Sequence, residues 1–304
     1  MATAHDRLRR AKPLLGTFVE IAVAHAAPGV MAGAVEDAFD AVARVHRCMS
    51  FHDPASDVSH LNQYAAAGAV TVDPWTFQVL ETAVELYRRS GGVFDVGVAP
   101  VLQEAGLLPS PARPRSAGLL ASSADDPIEL LPGHRIRFRD RSVAIDLGGI
   151  AKGFAVDRAL DVLQEHGVPQ GLVNAGGDLA AFGAEPESVF IRHPFKPDQL
   201  VCQVQIANEA LASSGGRLDL VEPSSVARQA IIDPRTRRPP DAIAGASVRA
   251  SSCLVADALT KVVMIQGKDS AALLDHYHAS ALVVSMSGEI CVTLGWLGGE
   301  NLAA

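Results

Sequence analysis

Residues 144–178 read AIDLGGIAKGFAVDRALDVLQEHGVPQGLVNAGGD, and the rest of the chain is read outward from them. Ala144-Ile145-Asp146-Leu147 is a short apolar run with one acid inside it, and it reads as a strand. Gly148-Gly149 gives the backbone freedom for a tight turn. From Ile150 the apolar residues Phe154, Val156, Leu160 and Leu163 follow a helical rhythm, and Gly167 closes that helix. Gly171-Leu172-Val173 is a second strand, and Asn174-Ala175-Gly176-Gly177-Asp178 a second open turn. Unpaired N–H groups at the start of the helix can face an anion, and Lys152 adds a positive charge there. The glycines alone predict only turns, and the spacing is not the GxGxxG fingerprint of a dinucleotide fold. Asp146 is the informative residue, because a carboxylate inside an apolar run needs a donor or a ligand.

The chain has 304 residues, enough for one large domain or two intimate ones, with 48% hydrophobic and 20% charged residues. A formal charge of −8 without a compensating basic run excludes an ordinary nucleic-acid binder. The four cysteines, Cys48, Cys202, Cys253 and Cys291, stand far apart, so neither a zinc site nor a disulfide framework is expected. No run is long and apolar enough to span a membrane, and the first residues do not read as a secretory signal. A cytoplasmic protein is the expectation.

Leu15–Val23 reads as a strand, and Ala34–Cys48 as an amphipathic helix with Val35, Ala38, Phe39, Val42 and Val45 on one face. Met49–Ser59, rich in Asp, Ser and Pro, is a loop and capped turn. Pro74 opens a helix that runs to Arg89 and stops at Ser90-Gly91-Gly92. Pro109–Pro127 is a Pro-, Ser- and Ala-rich surface excursion, and His134–Arg139 alternates like a strand. Strands are expected at 179–182, 188–191, 201–206, 210–216 and 245–248, a short apolar run at 229–236, and a closing hairpin from 280 to 294. Between them Leu254–Gln266 is a helix whose spacing puts Asp257, Thr260 and Lys261 on one face, among apolar neighbours that favour burial or a cleft.

These segments together resemble the ApbE family, the FAD:protein FMN transferases. The resemblance rests on Leu15-Gly16-Thr17, MSFHDPASDVSHLN from Met49, GGVFDVGVAP from Gly91, DLGGIAKGFAVDRA from Asp146, VNAGGD from Val173, IIDPRT from Ile231 and ADALTK from Ala256. It implies one ApbE-like, T-fold-related α+β domain over residues 1–304, of mixed sheets and packed helices with an FAD cleft between its two parts. It implies Leu15, His52, Val93, Phe94, Asp95, Asp146, Lys152, Ser214 and Ile231 as FAD contacts. Gly149, through its carbonyl, Asp257 and Thr260 are the implied Mg²⁺ ligands, with Asp257 the implied catalytic residue. The implied reaction moves FMN from FAD to a Ser or Thr hydroxyl of an acceptor flavoprotein and releases AMP. A non-catalytic FAD-binding protein and an FAD pyrophosphatase stay open as alternatives.

Three departures from the family pattern bear on this. Ala230 stands where the family usually has a histidine, a candidate base for the attacking hydroxyl. Lys261 stands where the family usually has a threonine near the metal. An ammonium there can sit beside the cation, weaken its binding, or take its place against the phosphates. Many family members are exported lipoproteins, which makes the periplasm the family-based alternative for location, although no lipoprotein leader is visible here.

Overall fold

The structure, a computed structural model, describes residues 7–109, 126–215 and 231–296. Ala230 and most of the Pro109–Pro127 excursion lie outside the described residues. In chain order the elements are β1 (Arg7–Leu14), β2 (Thr17–Ala24), α1 (Pro28–Met49), α2 (Asp57–Tyr64), β3 (Val70–Thr71), α3 (Pro74–Arg89), α4 (Ala99–Glu104), β4 (Ile128–Leu131), β5 (Arg135–Phe138) and α5 (Ala151–Glu165). There follow β6 (Gln170–Ala175), β7 (Asp178–Phe182), β8 (Glu187–His193), β9 (Lys196–Ile206), β10 (Glu209–Gly215), β11 (Ile243–Ala250), α6 (Cys253–Gln266), α7 (Ala271–His276), β12 (Ser280–Ser285) and β13 (Ile290–Val292). No helix among the described residues is long and apolar enough to cross a membrane.

Eight strands form one antiparallel sheet in the order β1-β2-β6-β7-β10-β11-β12-β13. Strand periodicity sorts its residues onto two faces. Ala180, Ala210, Ala212, Val248 and Ala281 face the core that holds α1, α5 and α6. Their neighbours Leu179, Leu211 and Leu282 face a second, smaller core with Ile191 and Val204 of the β8–β9 hairpin. With both faces covered, β7 is buried along its whole length and carries no polar alternation past Asp178. The alanines under the helices let α5 and α6 lie close to the sheet. A smaller sheet, β3-β5-β4, completes the fold.

One expectation fails here. Ala144–Leu147 is not a strand. The side chain of Asn62 on α2 takes the role of a partner strand: the Ile145 N–H donates to Asn62 Oδ1 (2.7 Å) and Asn62 Nδ2 donates to the Ile145 carbonyl (2.9 Å). The Asp146 N–H donates to the Val96 carbonyl at 2.8 Å. Buried backbone groups need partners, and these satisfy them without a ladder. The segment from Val93 forms a 3₁₀ turn at Val96–Val98 and then α4.

Helices α5 and α6 touch at a glycine. A Cβ on Gly153 lies 2.1 Å from the Cys253 carbonyl oxygen and 2.8 Å from Asp257 Cβ, so the two backbones meet where no side chain intervenes. Asp157, one turn further along α5, caps the start of α6 by accepting from the N–H groups of Cys253 (2.7 Å) and Leu254 (2.8 Å). Ser252 adds an N-cap bond from Val255, and a carboxylate at a helix N-terminus also meets the positive end of the helix dipole.

Gly153→Ala is therefore expected to lower stability by about 1–3 kcal/mol through overpacking. Gly33→Ala in α1, whose Cβ meets nothing within 4 Å, is expected to be neutral or stabilising. Urea unfolding of the two variants checks the pair, and equal midpoints rule out the tight α5–α6 contact.

Candidate active site

The site forms where two hairpin turns and the start of α5 come together at one end of the large sheet. Leu14 opposite Thr17 leaves Leu15-Gly16 as a two-residue turn, and Ala175 opposite Asp178 leaves Gly176-Gly177 as another. All four residues have positive φ, the left-handed region that such hairpin turns use. Val19 pairs with Ala175, so the turns lie side by side. A Cβ on Gly176 falls 2.6 Å from Thr17 Oγ1, which reserves that position for glycine. Leu15 adopts φ +55° despite its side chain, and its N–H donates to His46 Nδ1 at 3.0 Å. A left-handed leucine costs about 1–2 kcal/mol.

Leu15 lines a cavity of about 470 Å³ together with Val93, Phe94, Asp95, Asp146, Gly149, Lys152, Ser214 and Ile231. Nine of the residues picked out by sequence thus converge on one space whose size suits a small organic ligand. Thr17, Asp178 and Lys261 line it too. A second cavity of about 1070 Å³ lies under the β8–β9 hairpin on the other face of the sheet. Gly176, Ser213, Ser214 and Gly215 line both.

The floor of the first cavity is a cluster of two lysines and two aspartates. Lys152 makes a short ion pair with Asp178 Oδ2 and lies 3.4 Å from Asp257 Oδ2. Lys261 pairs with Asp257 Oδ1 and donates to the Asp257 carbonyl at 3.0 Å. The Gly153 N–H donates to Asp257 Oδ2 at 3.1 Å. Asp257 is fully buried. Burial pushes its carboxyl up, but Lys152 and Lys261 outweigh that and hold it below the usual carboxylate range. In Lys152, burial works against the charge, and the pull of Asp257 and Asp178 more than restores it. Asp178 is pushed up by burial and by the charge of Asp257, with both lysines opposing, and its Oδ1 is buried without a hydrogen-bond partner among the described residues.

Three predicted site residues do not reach the cavity. Asp257 and Thr260 are buried beneath it, and Thr260 Oγ1 touches the lining only through Ser214 Oγ (2.7 Å). His52 is exposed on the turn after α1 and is not among the lining residues. The expected anion site on bare helix N–H groups is also narrowed. The N–H groups of Ile150 and Ala151 donate to the Leu147 carbonyl and that of Gly153 to Asp257, so the positive charge here comes from lysine side chains. Asp178 is the residue the sequence reading left unassigned. Its signal was the last letter of VNAGGD, an acid directly after a double-glycine turn.

Gly149, Asp257 and Thr260 do not fit a divalent cation in this arrangement. Both Asp257 oxygens and its carbonyl already accept from Lys261, Gly153 or Thr260, and Lys152 stands close by. The stem of Lys261 runs beside Gly149, with its Cε 3.5 Å from a Cβ built there. Among the described residues no group of three or more His, Cys, Asp or Glu is placed to hold a metal ion.

The sequence profile of the ApbE family matches residues 15–284. This chain belongs to the ApbE family. An ApbE relative from Vibrio cholerae, named FAD:protein FMN transferase, is 30% identical over 233 residues, 73% of this chain and 70% of the relative. A relative of the same name from Rhodobacter capsulatus is 30% identical over 223 residues, 70% of this chain and 43% of that longer protein. The crystal structure of the ApbE protein from Thermotoga maritima matches the fold with a TM-score of 0.82 at 25% identity, covering 95% of this chain and 97% of that one. The α+β fold expected from sequence is that of the ApbE structures.

Asp95 gives this ApbE chain a pH dependence. Its carboxylate accepts from the Gly97 N–H (2.6 Å), and burial lifts its pKa from 3.8 to about 6. Between those values the folded chain holds a proton that the unfolded chain releases. Stability from this group is thus complete below pH 3.8 and lost as pH rises through about 6. Asp95→Asn is expected to be more stable than the parent at pH 7.5 by about 1–2 kcal/mol, with the gap closing near pH 4. Urea unfolding of both proteins at the two pH values checks this; a gap that widens on acidification contradicts it.

Proposed function

We propose that this chain transfers the FMN half of FAD to a Ser or Thr hydroxyl of an acceptor protein and releases AMP. The observation that carries this reading is the convergence of nine sequence-selected positions on one cavity whose floor presents two ammonium groups, Lys152 and Lys261. The name shared by the relatives in V. cholerae and R. capsulatus points the same way.

The chemistry suits the site. The acceptor oxygen attacks the phosphorus on the riboflavin side, a new O–P bond forms, and the bond from that phosphorus to the bridging oxygen breaks. AMP leaves with the bridging oxygen, and the hydroxyl proton passes to the departing AMP phosphate or to water. Such a transfer depends on positioning and on neutralising charge at the phosphoryl oxygens. Lys152 stays protonated because Asp178 and Asp257 hold it so, and its position is fixed by the same pair. Leu15, Val93 and Phe94 supply apolar wall for a flavin ring, while Asp95, Asp146 and Ser214 supply polar atoms along it.

Incubation with FAD and a threonine-containing acceptor peptide is expected to add one FMN to the peptide, read by mass spectrometry, with AMP formed in equal amount. An unmodified peptide beside intact FAD sinks the reading, and free FMN without a modified peptide makes the chain a pyrophosphatase. Lys152→Met is expected to lower the transfer rate by roughly 100-fold, the scale of losing one preorganised charge at the phosphates. Circular dichroism verifies that the variant is folded.

A further inference from the structure

We infer that the Lys261 ammonium holds the place of the divalent cation, so that this chain neutralises phosphate charge with a built-in side chain and binds no metal at this site. The inference rests on the proposed reading for what the charge acts upon, but its central test does not.

Three observations carry it. The first is occupancy. Lys261 Nζ contacts Asp257 Oδ1 and the Asp257 carbonyl, and its stem passes Gly149, so it spans two of the three residues that the family resemblance assigns to a metal. The third, Thr260, is turned to other partners, donating to the Asp257 carbonyl and pairing with Ser214. The second is charge. Two carboxylates, Asp178 and Asp257, meet two ammoniums, Lys152 and Lys261, so the cluster is already neutral. A divalent ion added there carries the buried cluster to a charge of +2 against two like-charged neighbours a few ångströms away. In a poorly solvated place that repulsion outweighs what one shared carboxylate returns. The third is geometry. Lys261 sits one helical turn after Asp257 on the same face of α6, so the pair is fixed by the helix itself. Opening the site to a cation requires expelling an ammonium from a carboxylate with no exposed surface. Yet Lys261 also lines the cavity, so its charge is available to a bound pyrophosphate.

The decisive measurement is Mn²⁺ binding followed by electron paramagnetic resonance of the free ion, on the parent chain and on Lys261→Thr and Lys261→Met. The parent is expected to leave Mn²⁺ free up to millimolar concentrations. Lys261→Thr removes the ammonium and restores a hydroxyl, and is expected to bind roughly 100-fold or more tightly than the parent. Lys261→Met, which keeps the length of the stem without its charge, is expected to fall between them and serves if the threonine variant does not fold. Asp257→Asn placed on Lys261→Thr is expected to abolish the gained binding. Tight Mn²⁺ binding by the parent that Asp257→Asn removes overturns the inference, as does failure of both folded Lys261 variants to gain any. In the transfer assay, EDTA is expected to leave the parent's rate unchanged. Transfer that stops on chelation and returns with Mg²⁺ refutes the inference while the proposed function stands. Absence of transfer, with the Mn²⁺ pattern as expected, refutes the proposed function and leaves the inference intact.

Discussion

A carboxylate with no access to water governs this molecule. Asp257 lies on α6 among alanine, leucine and valine, where an isolated charge costs several kcal/mol. It is tolerated because two ammoniums and a backbone N–H meet it at once. Lys261 is one turn away on the same helix, but the other two come from far along the chain. Lys152 and Gly153 belong to α5, and they reach Asp257 only because Gly153 lets the α6 backbone come into direct contact. Asp157 reinforces the same approach by capping the first N–H groups of α6. The contact that closes the core is therefore also the contact that builds the charged floor of the cavity.

The open side of that floor faces the end of the large sheet. Two glycine-containing turns lie side by side there because β2 and β6 are neighbours, and both contribute to the cavity lining. Leu15 is held left-handed at this point, anchored by His46 from α1. Strain that the surrounding structure holds in place tends to gather where a ligand is gripped. The sheet is also thin here in a chemical sense: the end of β10, at Ser213, Ser214 and Gly215, borders both the cavity above the lysines and the larger one beneath the β8–β9 hairpin. Small side chains along that edge keep the two spaces adjacent.

Much of this was legible from sequence. The helix after Gly149, the glycine that ends it and the helix opened by Pro74 follow from local spacing and capping chemistry, which act over a few residues, while the capped turn read up to Ser59 extends into a helix, Asp57–Tyr64. The misreadings have physical causes. Ala144–Leu147 has the composition of a strand, but its backbone is satisfied by the side chain of Asn62, 83 positions away. The arginine-rich Arg7–Leu14 gives little apolar alternation because it is an edge strand whose arginines pair with Glu20, Glu36 and Glu187 on neighbouring elements.

By itself, the sequence determined most of the longer elements, the family and nine residues of the cavity lining, since periods of two and of 3.6 residues and a set of ordered motifs are written locally. It also put Asp257, Thr260 and Lys261 on one helical face, because residues one turn apart must share it. What only the tertiary structure decided is which charge answers which. Lys152 lies 105 residues from Asp257 and 26 from Asp178, and no local pattern relates them. Their meeting is set by the packing of α5 beside α6 on the sheet, where the expense of burying a charge leaves each ion no choice but the counter-ion that the fold brings within reach.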